Sequence, residues 1–270
     1  MAEKFEHKKS LGQNFLNSDY VPRQMCDAAG DIAGETVLEI GPGTGALTRE
    51  ILARGARVIA VEADERAIMS LRETFADAIA RGQLTLHHHD ARIIKPAQFG
   101  LENHSYIVIS NIPYYLTGNL FRQLLDTTNQ PKTLVFLIQK EVAERIARDK
   151  KESLLSLSVK VFGDPSYICT VKRSHFSPPP KVDSAIVAVK NIHKNRVGEI
   201  SHADFFKVIH LGFAQKRKQL LGNLSKSFPR TTAEVALTKT RLTLDVRAED
   251  VPLAKWIELT QALHALNTTN

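Results

Sequence analysis

The 270 residues predict a doubly wound α/β domain followed by a small all-α domain, on three observations. From residue 36 to about 190, short β-branched runs alternate with longer mixed segments, which reads as repeated strand-helix units and a mostly parallel sheet. After Lys190, the polar, strand-poor residues 191–201 give way to sequence that reads helical to the end. A make-up of 43% hydrophobic and 24% charged residues is that of an ordinary globular chain, long enough for one large domain or a large one plus a small one.

Element by element, strands are expected at 36–40, 57–61, 84–88, 106–110 and 133–138. Two further β-like runs, 167–171 and 184–189, flank the stiff Ser177-Pro178-Pro179-Pro180 segment and suit an antiparallel edge of the same sheet. In the helical part, Phe205, Ile209, Leu211, Phe213, Leu220 and Leu221 fall on a helical pattern over 204–224, and Asp250-Val251-Pro252 starts a last helix reaching Leu266. The expected division is 1–195, with a basic N-terminal arm, and 196–270.

Thirty-six Lys and Arg against 29 Asp and Glu give a net charge of +7, so an anionic partner fits the whole chain. The excess is local: residues 190–226 hold eight Lys or Arg and two acids. Within that stretch Lys216-Arg217-Lys218 suits contacts to nucleic-acid phosphates, the alternative being a solvated helix face. Cys26 and Cys169 stand alone, outside any C-x-x-C or Cys/His metal spacing, which excludes a disulfide scaffold. No run reaches the roughly 18 apolar residues of a membrane helix, and the first ten residues are polar and basic without an apolar signal core. A bacterial cytoplasmic protein without membrane attachment, working as a monomer, is the expectation.

The first strand runs into Glu39-Ile40-Gly41-Pro42-Gly43-Thr44-Gly45-Ala46-Leu47-Thr48, a glycine loop that opens a helix. Gly41, Gly43 and Gly45 let backbone approach a ligand closely, and the helix that follows offers free N–H groups. Glu62, 21 residues past Gly41 at the tip of the second strand, stands where nucleotide folds hold ribose hydroxyls. The ligand is therefore expected to contain adenosine. A nicotinamide dinucleotide fits less well: the glycines are spaced G-x-G-x-G, and Glu39, Glu62, Asp64 and Asp90 at the strand tips would repel a pyrophosphate. The cationic sulfonium S-adenosyl-L-methionine suits that acidic rim. Asp90, after the third strand, is placed to accept from an adenine amino group. His87-His88-His89-Asp90 invites a metal reading, yet adjacent strand side chains point to opposite faces, so no metal site is expected.

The fourth strand ends in Ser110-Asn111-Ile112-Pro113-Tyr114-Tyr115, at the carboxyl edge where open α/β sheets bind ligands. An adenine amino group is a poor nucleophile because its lone pair is delocalised into the ring. The Asn111 side-chain oxygen and the Ile112 carbonyl would each accept one of its N–H bonds and localise that pair. Pro113 biases Ile112 to an extended conformation and aims its carbonyl. Tyr114 can stack on a base swung out of an RNA, with Phe176 on the other face. Taken singly, these residues also read as core packing and a loop stop; their order beside the acidic loop favours the chemical reading.

In these motifs the sequence resembles the ribosomal RNA adenine dimethyltransferase family, and within it the small-subunit (KsgA/RsmA) branch. The resemblance runs nearly end to end. It is carried by Lys9-Ser10-Leu11-Gly12-Gln13-Asn14-Phe15-Leu16, the glycine loop, Val61-Glu62-Ala63-Asp64, Asp90-Ala91, Asn111-Ile112-Pro113-Tyr114, Phe176-Ser177-Pro178-Pro179-Pro180-Lys181-Val182-Asp183-Ser184 and Phe213-Ala214-Gln215-Lys216-Arg217-Lys218. It implies a Rossmann-like class I S-adenosylmethionine-dependent methyltransferase domain that dimethylates two adjacent adenosines near the 3′ end of small-subunit rRNA, within a pre-30S particle. It implies further that Asn14, Leu16, Gly41, Glu62, Asp90 and Asn111 contact the cofactor. The chain departs from the family where relatives commonly carry Asn-Ile-Ser-Thr: here Tyr115-Leu116-Thr117-Gly118 follows Tyr114. Two alternatives stay open. One is a ribosome-assembly RNA-binding factor with incidental methylation; the other is a large-subunit enzyme of the erythromycin-resistance type.

Overall fold

The computed structural model describes residues 14–268, so the basic N-terminal arm and Lys9-Ser10-Leu11-Gly12-Gln13 lie outside the described residues. The chain forms two compact units. The first takes the residues up to Glu144 together with Gly163–Ile192; the second takes Arg145–Phe162 and everything from His193 on.

In chain order the first unit contains β1 (Phe15–Leu16), α1 (Tyr20–Ala29), β2 (Thr36–Ile40), α2 (Ala46–Ala53), β3 (Arg57–Glu62), α3 (Glu65–Thr74), α4 (Ala76–Ala80), β4 (Leu84–His88), β5 (Tyr106–Asn111), α5 (Thr117–Leu125) and β6 (Thr133–Gln139). After α6 (Lys140–Ala147), which spans the division, and α7 (Leu154–Lys160) of the second unit, it resumes with β7 (Asp164–Val171), β8 (Phe176–Ser177) and β9 (Ser184–Lys190).

Seven strands form one sheet in the order β4-β3-β2-β5-β6-β9-β7. The first five are parallel, β9 runs antiparallel to β6, and β7 runs antiparallel to β9 with a bulge at Tyr167/Cys169. Both 167–171 and 184–189 therefore take the edge role read from sequence. β5 and β6 are buried on both faces, Tyr106, Ile107, Val108 and Ile109 in one and Leu134 to Ile138 in the other, as continuous apolar runs in parallel sheets require. α1 lays Val21, Met25 and Cys26 into this core. The chain leaves β2 for β3 on one side and reaches β5 on the other, so the order reverses between β2 and β5, the place where open α/β sheets form a crevice. A separate two-stranded ribbon pairs Leu16 with Phe176 and Phe15 with Ser177.

The second unit is helical: α7, α8 (His202–Gly212), α9 (Leu220–Leu224), α10 (Arg230–Lys239) and α11 (Leu253–Thr268). It differs from the two-segment division expected at 195/196 because residues 145–162 belong to it. Glu152 N–H donates to the Glu249 carbonyl at 2.7 Å, and Phe162 stacks on His202 at 4.8 Å. These partners are far apart along the chain, which a composition shift does not register. The helix read over 204–224 is also interrupted. Asn223 Nδ2 donates to the carbonyls of Gly212 (2.6 Å) and Gln215 (3.2 Å), so residues 213–219 form a fixed loop between α8 and α9. No helix among the described residues is long and apolar enough to cross a membrane.

Candidate active site

The carboxyl ends of β4, β3, β2 and β5, four neighbours in the sheet, bring Asp90, Glu62, Glu39 and Asn111 to one cavity of about 300 Å³. All of its lining comes from the first unit. Asn14, Phe15 and Leu16 contribute one side; Gly41, Pro42 and Gly43 another; Ile112, Pro113, Tyr114 and Tyr115 a third.

The glycine loop has the geometry its composition demands. Gly41, Gly43 and Gly45 have φ of +70°, +55° and +80°, where side chains are disfavoured. A Cβ on Gly41 would meet nothing within 4 Å, so open space lies against this backbone, as close approach of a ligand requires. A Cβ on Gly43 would stand 2.6 Å from Phe15 Cε1, so that glycine makes room for β1. Gly45 does not line the cavity: it is the left-handed N-cap of α2, and a Cβ there would collide with the Phe75 ring and Leu71. Its place in the motif is helix packing, a correction to the cofactor contact expected of it.

The carboxylates are held in different ways. Glu62 is buried and accepts the N–H groups of Ala63 (2.8 Å) and Asp64 (2.9 Å) on Oε1 and of Gly43 (3.2 Å) on Oε2. Burial raises its pKa, and these three donors oppose the rise. Glu39 is 1% exposed and takes the Thr48 hydroxyl at 2.6 Å. Burial pushes its pKa up to about 8, with the Thr48 bond lowering it and the Glu62 charge raising it. Asp64 caps α3 and is paired with Arg66 (2.7 Å), and Asp90 is forked by Arg92 (2.6 Å), which holds its carboxyl below the usual range. Among the described residues, Glu39 and Glu62 have no cationic partner. A cavity holding two buried carboxyl groups without a cationic partner, beside open glycine backbone, fits a cationic, adenosine-bearing cofactor such as S-adenosylmethionine, whose sulfonium favours their ionised form.

Asn111, the last residue of β5, donates its Nδ2 to the Asn14 carbonyl at 3.1 Å. A carbonyl neighbour can only be met by the NH₂ end of the amide, so Oδ1 is turned the other way; among the described residues it receives no hydrogen bond. Pro113 (φ −57°, ψ 131°) then leads into a 3-10 turn, Tyr114–Leu116. The Tyr114 hydroxyl lies 2.7 Å from Ser184 Oγ, and burial raises the pKa of the phenol.

Of the residues expected from sequence, Asn14, Leu16, Glu39, Gly41, Gly43, Glu62, Asp90, Asn111, Ile112, Pro113 and Tyr114 share the cavity. Phe176 does not: it is 2% exposed, pairs with Leu16 and lies in the hydrophobic core, because β8 draws it into the ribbon with β1. The expected second stacking face is corrected accordingly. Lys216, Arg217 and Lys218 are exposed on the 213–219 loop of the second unit. His87 and His89 both pack on Phe99, His88 Nε2 meets the Ala63 carbonyl, and His89 Nδ1 meets that of Asp90. Three supporting residues escape a reading of the sequence: Thr48, which holds Glu39; Ser184, which holds Tyr114; and Ser110, whose buried Oγ accepts the Ile40 N–H at 2.8 Å and locks β5 to the start of the glycine loop. A polar Ser110 closing an apolar strand is the one available signal.

Sheet and cavity together define a Rossmann-like, S-adenosylmethionine-dependent methyltransferase. Residues 4–265 match the family described as ribosomal RNA adenine dimethylase, and the chain belongs to it. It is 36% identical over 252 residues to a ribosomal RNA small subunit methyltransferase A of Dehalococcoides mccartyi, covering 92% of this chain and 86% of that one. A protein of the same name from Fusobacterium nucleatum is 32% identical, with 94% and 97% covered. Among solved structures, the 23S rRNA methyltransferase ErmE superposes with a TM-score of 0.73 at 25% identity over 93% of this chain and 100% of that one. A dimethyladenosine transferase of Plasmodium falciparum shares the fold, with a TM-score of 0.75 at 23% identity over 94% of this chain and 98% of that one.

Proposed function

We propose that the chain dimethylates the N6 amino groups of two adjacent adenosines in the 3′-terminal hairpin region of small-subunit rRNA, acting as a monomer on a pre-30S particle in the cytoplasm and so serving small-subunit biogenesis. The observation that carries this reading is the aim of Asn111: its NH₂ is taken by the Asn14 carbonyl, and its Oδ1 is left for a donor in the cavity that holds the glycine loop and both buried acids.

S-adenosylmethionine, when bound, supplies a methyl group made electrophilic by its sulfonium. Gly41 would give it backbone to lie against; Asn14, Leu16, Gly43, Glu62 and Asp90 would line its adenosine and methionine parts, and Glu62, joined by Glu39 once the sulfonium draws it into its ionised form, would supply negative charge. Asn111 Oδ1 and the Ile112 carbonyl accept the two N–H bonds of the adenine amine and keep its lone pair localised on nitrogen. Tyr114, anchored by Ser184, fixes the plane of the extruded base. As N–CH₃ forms the S–CH₃ bond breaks, a neutral thioether leaves and the proton shed by the methylated nitrogen passes to solvent, so positioning and two prearranged acceptors carry the rate without a general base. A monomethylated amine keeps one N–H for the same acceptors, so the site accepts a second round. Lys216, Arg217 and Lys218, exposed on the 213–219 loop of the second unit, hold rRNA phosphates.

The test is incubation with unmethylated small subunits and, separately, unmethylated large subunits with labelled donor, followed by mapping of the modified nucleotides. Dimethyladenosine at two adjacent small-subunit positions supports the proposal. Label in the large subunit alone would move the chain to the erythromycin-resistance type, and particle binding without label would leave an assembly factor.

A further inference from the structure

The two neighbouring tyrosines of the cavity are treated differently by the fold. Tyr114 is tied to Ser184 and partly buried. Tyr115 is 60% exposed, and among the large hydrophobic side chains exposed in the described residues it is the one that lines the cavity. Its backbone is rigid: the Leu116 N–H closes the turn on the Pro113 carbonyl at 3.0 Å, and the Thr117 hydroxyl donates to the Tyr114 carbonyl at 2.9 Å. A fixed turn thus presents an aromatic ring to water at the mouth of the site.

Arg92 also lines the cavity. Its carbonyl accepts from Asn119 Nδ2 (3.0 Å) and Gln123 Nε2 (2.9 Å) of α5, which anchors its turn, while the guanidinium remains exposed. Its fork on Asp90 uses Nε and Nη2, so Nη1 keeps its donors. The hydrogen-bonded Asp90 carboxylate strengthens the hold of this guanidinium on its proton, and Arg92 and Tyr115 line the same cavity.

Extruding a base from an RNA strips its neighbour of a stacking partner, and an aromatic face at the mouth of the pocket takes that partner's place. We propose that Tyr115 is a positioning residue for the reaction, the platform on which the nucleobase next to the target adenosine stacks, with Arg92 Nη1 meeting the adjoining phosphate. This rests on the RNA methyltransferase reading above.

The experiment compares wild type, Tyr115→Phe, Tyr115→Leu and Tyr115→Ala on unmethylated small subunits, with S-adenosylmethionine affinity measured on each protein alone. A hairpin RNA carrying 2-aminopurine beside the target adenosine gives the spectroscopic signature. The Ala and Leu variants are expected to raise the KM for RNA about tenfold or more, with cofactor affinity kept and the 2-aminopurine left bright. The Phe variant is expected to match wild type in KM and in quenching. An unchanged KM in both Ala and Leu variants, or a Phe variant as impaired as Ala, overturns the proposal. Wild-type protein that transfers no methyl to adenosine sinks the underlying reading instead, so the two failures are distinct.

Discussion

Replacing Glu39 by Gln removes the most deeply buried titratable group of the site while keeping its shape. The folded protein holds this carboxyl at a pKa of about 8, against an ordinary value of 4.5, because burial outweighs the Thr48 hydroxyl. With the folded pKa raised, the stability linked to Glu39 is fully present below about pH 4.5 and is lost as pH rises through about 8. That displacement corresponds to a difference on the order of 5 kcal/mol between the two ends, and to about 3 kcal/mol at pH 7. Glu39→Gln stays neutral throughout. Urea unfolding of the ligand-free protein at pH 5, 7 and 9 should therefore show the variant near wild type at pH 5 and increasingly more stable above it. Ligand binding gives the complementary reading: a sulfonium favours the ionised carboxylate, so wild-type affinity for S-adenosylmethionine should rise between pH 7 and 9, and affinity for the neutral thioether product should not. In Glu39→Gln both profiles should be flat in that window. Parallel stability curves from pH 5 to 9 would refute the reasoning.

Three further outcomes follow from the packing. Ser184→Ala removes the partner of the Tyr114 hydroxyl and should cost about 1 kcal/mol of stability while lowering single-turnover transfer without changing cofactor affinity, checked by calorimetry and quench-flow. Gly43→Ala puts a side chain at φ +55° and 2.6 Å from Phe15, so it should lose about 1–2 kcal/mol from the left-handed backbone alone and weaken S-adenosylmethionine binding, read by thermal shift with and without ligand. Changing Lys216, Arg217 and Lys218 to Ala should flatten the salt dependence of RNA affinity, by up to about one unit of slope for each phosphate that is no longer neutralised, and leave cofactor affinity alone.

What sequence alone made legible was the local and the periodic. The parallel strands of the large sheet announced themselves as β-branched runs, and Glu39, the Gly41–Gly43 turn, Glu62, Asp90 and Asn111 were placed because each sits at a strand end, a position that short-range pattern reveals. What escaped depends on partners far along the chain. Phe176 looks like a stacking face until β8 pairs it with Leu16 and buries it; Gly45 looks like a ligand contact until Phe75 closes over it. Residues 145–162 join the helical unit through pairs such as Lys151 with Glu249 and Glu152 with Glu249, which no change in composition marks. Ser184 and Thr48 are ordinary residues in sequence and become legible as supports for Tyr114 and Glu39 when the strand and helix that carry them arrive at the site.

The central claim is that the Asn111 Oδ1, oriented by the Asn14 carbonyl, is one of two acceptors that make an adenine amine reactive. Single-turnover methyl transfer by Asn111→Ala on unmethylated small subunits, at saturating protein and donor, tests it. A fall of about 10²–10³ in rate with RNA affinity retained is expected. Transfer at the wild-type rate would contradict it.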